Sequence, residues 1–209
     1  MIGSKHYPVL LILTSVIFFR GPLGAIHPER VYIIENANSH ESGLIAKYYA
    51  DSRKIPYHNI IRVSLPLDEE ICSSIFYEKI FNPIVKNLFN KKAIIGKIGT
   101  ANATNGRLKF TIDDVFIDFL VTTMGVPLKM RHSDQVVQDR RKIDTVFRTS
   151  RGAVDSHIAQ IVSKEMDLVG PVENPLFDRD YTLEDARTLA LKVSRLEGPT
   201  LKHVINSLI

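Results

Sequence analysis

Apolar positions fall into two patterns along the chain: short continuous runs and stripes at helical spacing. The first run, residues 31–34 (VYII), is apolar and rich in β-branched residues, with charge before it and polar residues after it. Such a run suits a strand covered on both faces, as in a parallel sheet. Residues 35–39 (ENANS) read as a polar loop. Asn38, with Glu41 three positions on, reads as the cap of a helix. That helix carries Ile45, Tyr48, Tyr49 and Ser52 on one face, with Leu44 beside it. It is expected to stop before Ile55, because a residue preceding proline is pushed out of the α region. Residues 59–63 (NIIRV) supply a second strand, which completes a βαβ unit with a right-handed crossover.

The next helix is expected to open at Ser73 or Ser74. Phe76, Ile80, Ile84 and Leu88 recur at intervals of four and form its apolar stripe. Pro83 lies inside that stripe, so a kink or two abutting helices are expected near Asn82. Residues 91–116 are broken by Gly96, Gly99 and Gly106 and read as a hairpin or an inserted surface loop. Residues 117–123 (IDFLVTT) form the clearest later strand, ending in Met124-Gly125-Val126-Pro127. Residues 131–151 are polar and charged, either a solvated loop or a lid or docking segment for an anionic partner. A helix follows with Asp155 in its first turn and Ile158, Ile161, Val162 and Met166 on its apolar face. Gly170-Pro171 breaks the chain, and residues 183–187 suggest a short helix. Residues 189–193 suggest another strand, and residues from Thr200 a last helix with Leu201, Val204, Ile205 and Leu208 on one face.

Together these elements predict an α/β domain over residues 26–209. The expected arrangement is three-layered and Rossmann-like or flavodoxin-like, with a mostly parallel sheet and helices on both faces. The chain ends inside a helical pattern, so a domain truncated at its C-terminus is expected.

Composition changes this picture in three places. The 27 basic and 23 acidic residues leave a net charge of +4, with no basic stripe of the kind that nucleic acid requires. Cys72 is the only cysteine, which excludes an intrachain disulfide. Residues 1–25 resemble a secretory leader: Lys5, an uncharged run at 7–19, and small residues leading to Ala25. The run has 13 residues, short of the roughly 20 that span a membrane. Cleavage after Ala25 is expected, the alternative being a retained anchor and the only membrane contact.

Four blocks resemble an uncharacterised family of exported bacterial proteins found alongside exosortase, the membrane enzyme that processes PEP-type sorting signals. They are 36–56 (NANSHESGLIAKYYADSRKIP), 120–128 (LVTTMGVPL), Val154-Asp155-Ser156 with the later Asn174-Pro175, and 193–199 (VSRLEGP). Glu197 stands where that family more often has aspartate, and the family continues beyond the last block. The resemblance implies export and a link with surface proteins or exopolysaccharide. It implies no established activity, so it assigns no catalytic residue.

Candidate chemistry centres on the loops after the strands. In open α/β sheets ligands bind at that edge. Glu35, Asn36, Asn38, Gly125, Asp155, Ser156, Asn174, Arg195 and Glu197 are the candidate pocket residues. The same residue types also cap helices and form turns in the absence of any ligand. Asp155-Ser156-His157 is no triad, since helix neighbours point about 100° apart. Cys72 at a helix start, with His157 or His203, is a weaker nucleophile pair. Glu35, Asp155 and Glu197 are the one carboxylate set for a hard cation. Histidine and cysteine spacings give no zinc site, and no glycine-rich phosphate loop is present, so no metal or cofactor is expected. Two functions stay open: a binding or assembly component for surface proteins or polysaccharide, and a cell-surface hydrolase with its site at the sheet edge.

Overall fold

A computed structural model describes residues 26–134, 136, 149–163, 168–169, 174–175, 177–178, 180, 182 and 188–208. The leader, most of the charged segment 131–151, Met166, the break at 170–171 and the helix expected at 183–187 lie outside the described residues. In chain order the elements are β1 (Val31–Asn36), α1 (His40–Arg53), β2 (Ile60–Val63), β3 (Glu70–Ile71) and α2 (Ser73–Ile75). A π-helical stretch (Phe76–Phe81) leads into α3 (Asn82–Asn90). Then come β4 (Ile94–Asn102), β5 (Leu108–Val115), β6 (Phe119–Thr123), β7 (Lys129–Met130), β8 (Gly152–Ala153), α4 (Val154–Ala159), β9 (Lys192–Leu196) and α5 (Leu201–Ser207).

Four strands form a parallel sheet in the order β2-β1-β6-β9. Ile33 pairs with Ile60 on one side and Val121 on the other, and Thr122 pairs with Arg195. Side chains alternate across the pleat. Val31, Ile33 and Val121 therefore pack with Ala46 and Ala50 of α1. Tyr32, Ile34 and Leu120 join the larger cluster that includes Ile80, Phe81, Ile84, Leu88 and Ile158. The protein is thus α/β with a four-stranded parallel sheet, Rossmann-like at the coarse level. The chain leaves β1 towards β2 and later returns to β1's other side as β6, so the order reverses between β1 and β6.

Several boundaries differ from the sequence reading. β1 runs two residues further, because Glu35 and Asn36 stay in register with Arg62 and Val63. The cap of α1 is Ser39, whose Oγ accepts the Ser42 N–H at 3.2 Å, and not Asn38. Asn38 is held back in a turn in which Asn36 Oδ1 accepts its N–H at 3.0 Å. The buried face of α1 is Ser42, Ile45, Ala46 and Ala50, while Ser52 and Leu44 are exposed. Tyr48 and Tyr49 are half-buried, and Tyr49 packs against the edge of the cluster that Ala46 and Ala50 form with the sheet. The helix stops at Arg53, as Pro56 requires.

β9 lies three residues later than residues 189–193. Among the described residues it has one neighbour and lies at the sheet's edge, so it does not need the continuous apolar run that marks a central strand. The shift puts Arg195 on the strand itself. Pro83 sits at the start of α3, directly after the π-helical stretch. The wider π turn removes the clash that a proline ring makes with the carbonyl four residues before it. Phe76, Ile80, Ile84 and Leu88 are all fully buried. Residues 91–116 resolve into an antiparallel hairpin, β4 with β5, pinned to α3 by Asn82. Asn82 Nδ2 donates to Gly106 O at 2.9 Å, and its Oδ1 accepts the Leu108 N–H at 2.8 Å.

Candidate functional site

The C-terminal edge of the sheet is held by one buried side chain. Asn36 ends β1 and has no exposed surface. Its Nδ2 donates to Gly125 O at 2.7 Å, after β6, and to Pro66 O at 3.3 Å, after β2. Its Oδ1 accepts the N–H groups of Asn38 and Leu65, both at 3.0 Å. Two donors and two acceptor positions are the full capacity of an amide side chain. Asn36 therefore ties together the loops that follow three strands and keeps nothing for a ligand.

Beside it runs a chain of buried hydroxyls. The Asn36 N–H donates to Ser42 Oγ at 2.7 Å, Ser42 Oγ lies 2.6 Å from Thr123 Oγ1, and Thr123 donates to Ile34 O at 2.9 Å. Since the Thr123 proton goes to a carbonyl, Ser42 must donate to Thr123. The three elements β1, α1 and β6 are thus joined at the point where the strand order reverses. Gly125 closes the turn after β6 with φ +89°. A Cβ there would lie 2.8 Å from Ser39 Oγ, so only glycine fits against the start of α1.

On the other face of the sheet, Arg195 Nε donates to Asp155 Oδ2 at 2.6 Å and Nη2 to Oδ1 at 2.7 Å. This fork-to-fork pairing suits the planar guanidinium. Nη1 also donates to Val126 O at 2.8 Å and to Glu197 Oε2 at 3.4 Å, and Nη2 to Pro127 O at 3.1 Å. All five N–H groups of Arg195 are used. Thr122 adds a donor to Asp155 Oδ1 at 3.2 Å. Asp155 sits in the first turn of α4, where its charge also complements the helix end. Arg195 therefore clasps α4, β9 and the turn after β6.

The candidate residues divide accordingly. Asn36, Asn38, Gly125, Asp155, Arg195 and Glu197 lie along the strand ends and bond to neighbouring groups. Asn38 Nδ2 donates to Leu65 O at 2.9 Å. Glu35 points to the α1 side, where it pairs with Arg62 at 3.1 Å and sits over Gly43. It is therefore parted from Asp155 and Glu197 by the sheet, and the three carboxylates do not form the cation set considered above. Among the described residues no group of three or more histidine, cysteine, aspartate or glutamate side chains could hold a metal ion. Ser156 is exposed on α4. The Asn174 carbonyl accepts the Phe177 N–H at 3.1 Å, and its neighbour Pro175 lines a cavity at the hairpin.

The Cys72 thiol and the imidazoles of His157 and His203 each bond to a different group. Cys72 Sγ is 3.1 Å from Ser74 Oγ. His157 is buried, and its Nδ1 donates to Ala153 O at 2.9 Å with its ring against Phe76. Gly152 makes room for that ring, since a Cβ there would lie 2.4 Å from His157 Cε1. His203 Nδ1 is 2.7 Å from Thr200 Oγ1 at the start of α5.

One feature escaped the sequence reading altogether. A cavity of about 870 Å³ lies along β5, walled on the far side by Val162, Ser163, Thr188 and Leu189. Of the lining residues, Arg107 has its guanidinium 5.3 Å from the Phe81 ring centre and 5.5 Å from that of Phe110, and its Nη2 donates to Ser163 O at 3.2 Å. Burial pushes the Arg107 pKa below its ordinary value. The only signal in the sequence was the alternation Leu108, Phe110, Ile112 within a stretch broken by glycines.

No family model, no curated protein and no solved structure matches the chain. The class that fold and site define is an α/β protein whose strand-end polar groups bond to one another. Among the described residues no helix is long and apolar enough to cross a membrane.

Proposed function

We propose that the chain is a non-catalytic binding or assembly component of an exported bacterial system, acting on surface proteins or polysaccharide. The observation that supports it most is the saturation of Arg195: a guanidinium with five occupied N–H groups has no donor left for a substrate. Asn36 is filled in the same way, and Cys72 Sγ and His157 Nδ1 are engaged with Ser74 Oγ and Ala153 O. A cavity of about 870 Å³ outside this cluster is of the size that takes a ligand.

Export rests on the leader-like residues 1–25, and the link to sorting or exopolysaccharide systems rests on the resemblance of the four sequence blocks. The finer architecture we infer is three-layered and flavodoxin-like. The order β2-β1-β6-β9 supports it, as do apolar clusters on both faces of the sheet.

The test is turnover. The purified protein is assayed with chromogenic ester, glycoside and peptide substrates beside an Asp155→Asn variant, with folding followed by circular dichroism. The binding reading expects no turnover by either protein. Turnover by the wild type that is lost in a folded Asp155→Asn variant would replace it with the hydrolase reading. Determining the N-terminus of protein secreted by a bacterial host tests export, with Ile26 as the expected first residue.

A further inference from the structure

We infer that the outer edge of β5 takes up an extended peptide strand from a partner. Every residue from 107 to 115 lines the cavity. Strand side chains alternate between two faces, so a cavity that meets all of them runs along the strand's edge and not over one face. The direction of the backbone agrees. The Arg107 carbonyl accepts from Ala103 N–H at 2.7 Å on the β4 side, so the Leu108 N–H of the same peptide unit points outward, to Asn82 Oδ1 at 2.8 Å. By alternation the N–H and C=O groups of Phe110 and Ile112 also face outward. Among the described residues β5 pairs only with β4. The far end is closed by a side chain, since Asp114 Oδ1 accepts the Val115 N–H at 2.7 Å.

The charges along this edge state what the strand must carry. Lys109, Thr111 and Asp113 form the exposed face of β5, while Phe110 and Ile112 pack on the core. Opposite charges directly across a strand pair stabilise it, and like charges do the reverse. The incoming strand therefore carries an acidic residue against Lys109, a basic residue against Asp113, and apolar residues on the side of Phe110 and Ile112. Val162, Ser163, Thr188 and Leu189 line the same cavity, so a strand laid on the β5 edge meets protein on its other side as well. Adding a strand to a sheet edge in this way gives affinity through the backbone and selectivity through alternate side chains.

The probe is a synthetic, fluorescently labelled peptide LKFTIDDV, the sequence of residues 108–115. Laid antiparallel and centred on Thr111, its lysine meets Asp113 and its first aspartate meets Lys109. Fluorescence anisotropy is expected to show saturable binding to the wild type. Lys109→Asp weakens it about tenfold, the effect of replacing attraction by repulsion at one cross-strand pair. The double variant K109D/D113K is expected to lose LKFTIDDV and to bind the swapped peptide LDFTIKDV. Both substitutions are on exposed side chains, so circular dichroism should be unchanged. Absence of saturable binding, or binding indifferent to the swaps, would overturn the assignment. Sedimentation showing that the protein alone dimerises, and that K109D abolishes the dimer, would also overturn it in favour of a second copy. The proposal rests on the binding reading above, but its failure is separable: a silent peptide leaves the turnover assay at Asp155 as it was.

Discussion

Asn36 and Gly125 lie 89 residues apart, and the side-chain amide of the first donates to the backbone carbonyl of the second at 2.7 Å. That bond spans the place where the strand order reverses, the place where an open α/β sheet usually receives a ligand. Here the edge is closed by the protein's own polar groups.

Asn36→Ala removes four hydrogen bonds from a fully buried position. The Leu65 N–H and Gly125 C=O lose their buried partner, each at a cost of about 1–3 kcal/mol. We expect a stability loss of about 3 kcal/mol by urea unfolding. Asn36→Asp should be no better, because a carboxylate would face the two carbonyls of Pro66 and Gly125. Either variant unfolding at the wild-type urea midpoint would show that the three loops are held some other way.

Gly125→Ala faces two separate penalties. A positive φ strains any side chain, and the new Cβ would overlap Ser39 Oγ. A loss of about 2 kcal/mol is expected. Adding Ser39→Gly should recover part of it, namely the overlap, while the strain stays. Ser39→Gly alone measures the few tenths of a kcal/mol that losing the α1 cap costs; a double variant that recovers nothing once that cost is subtracted would assign the whole Gly125→Ala loss to the backbone.

Cys72 is exposed, and its thiol pKa lies below the ordinary value of 9.0. The largest cause is the hydrogen bond from Ser74, followed by the Ile75 backbone N–H. A lowered pKa means more thiolate at a given pH below it. Alkylation by iodoacetamide should therefore reach half its maximal rate below the pH found for a free cysteine peptide. Ser74→Ala should move that midpoint up. An unchanged midpoint in the variant would remove Ser74 as the cause.

Asn82→Ala separates the hairpin from the helix beneath it. It deletes the bonds from α3 to Gly106 O, in the turn before β5, and to the Leu108 N–H at the start of β5, and leaves the Phe89–Phe110 ring contact in place. Hydrogen exchange at Leu108 should rise while exchange in β1 is unchanged. Equal increases in both would mean that hairpin and sheet open together.

Much of the sheet could be read from the chain because central strands leave a clear mark. β1 and β6 are buried on both faces, so VYII and LVTT are continuous apolar or β-branched runs. The parallel direction followed from the helix between β1 and β2. β9 was misplaced because an edge strand carries no such run. Ser39 was overlooked as the cap because the competing demand on Asn38 comes from Asn36, through a turn that local spacing does not reveal. The polar residues at the strand ends were legible as a group, since Asn36, Gly125, Asp155 and Arg195 all fall at element boundaries. What they do there was not legible. Arg195 uses its N–H groups on Val126 O and Pro127 O, backbone atoms 69 and 68 residues away. No pattern in the sequence records such a bond. The cavity along β5 was hidden for the same reason, because its far wall comes from residues about fifty to eighty positions later.

The most direct test is a double-mutant cycle on Asp155 and Arg195. Wild type, Asp155→Ala, Arg195→Ala and the double variant are unfolded in urea. If the pair is a clasp, each single variant loses about 3 kcal/mol, because it strands a partly buried charge. The double variant then loses much less than the sum, with a coupling of about 2 kcal/mol. Single variants as stable as the wild type, with no coupling between them, would contradict the clasp and return both side chains to the list of groups free to act on a ligand.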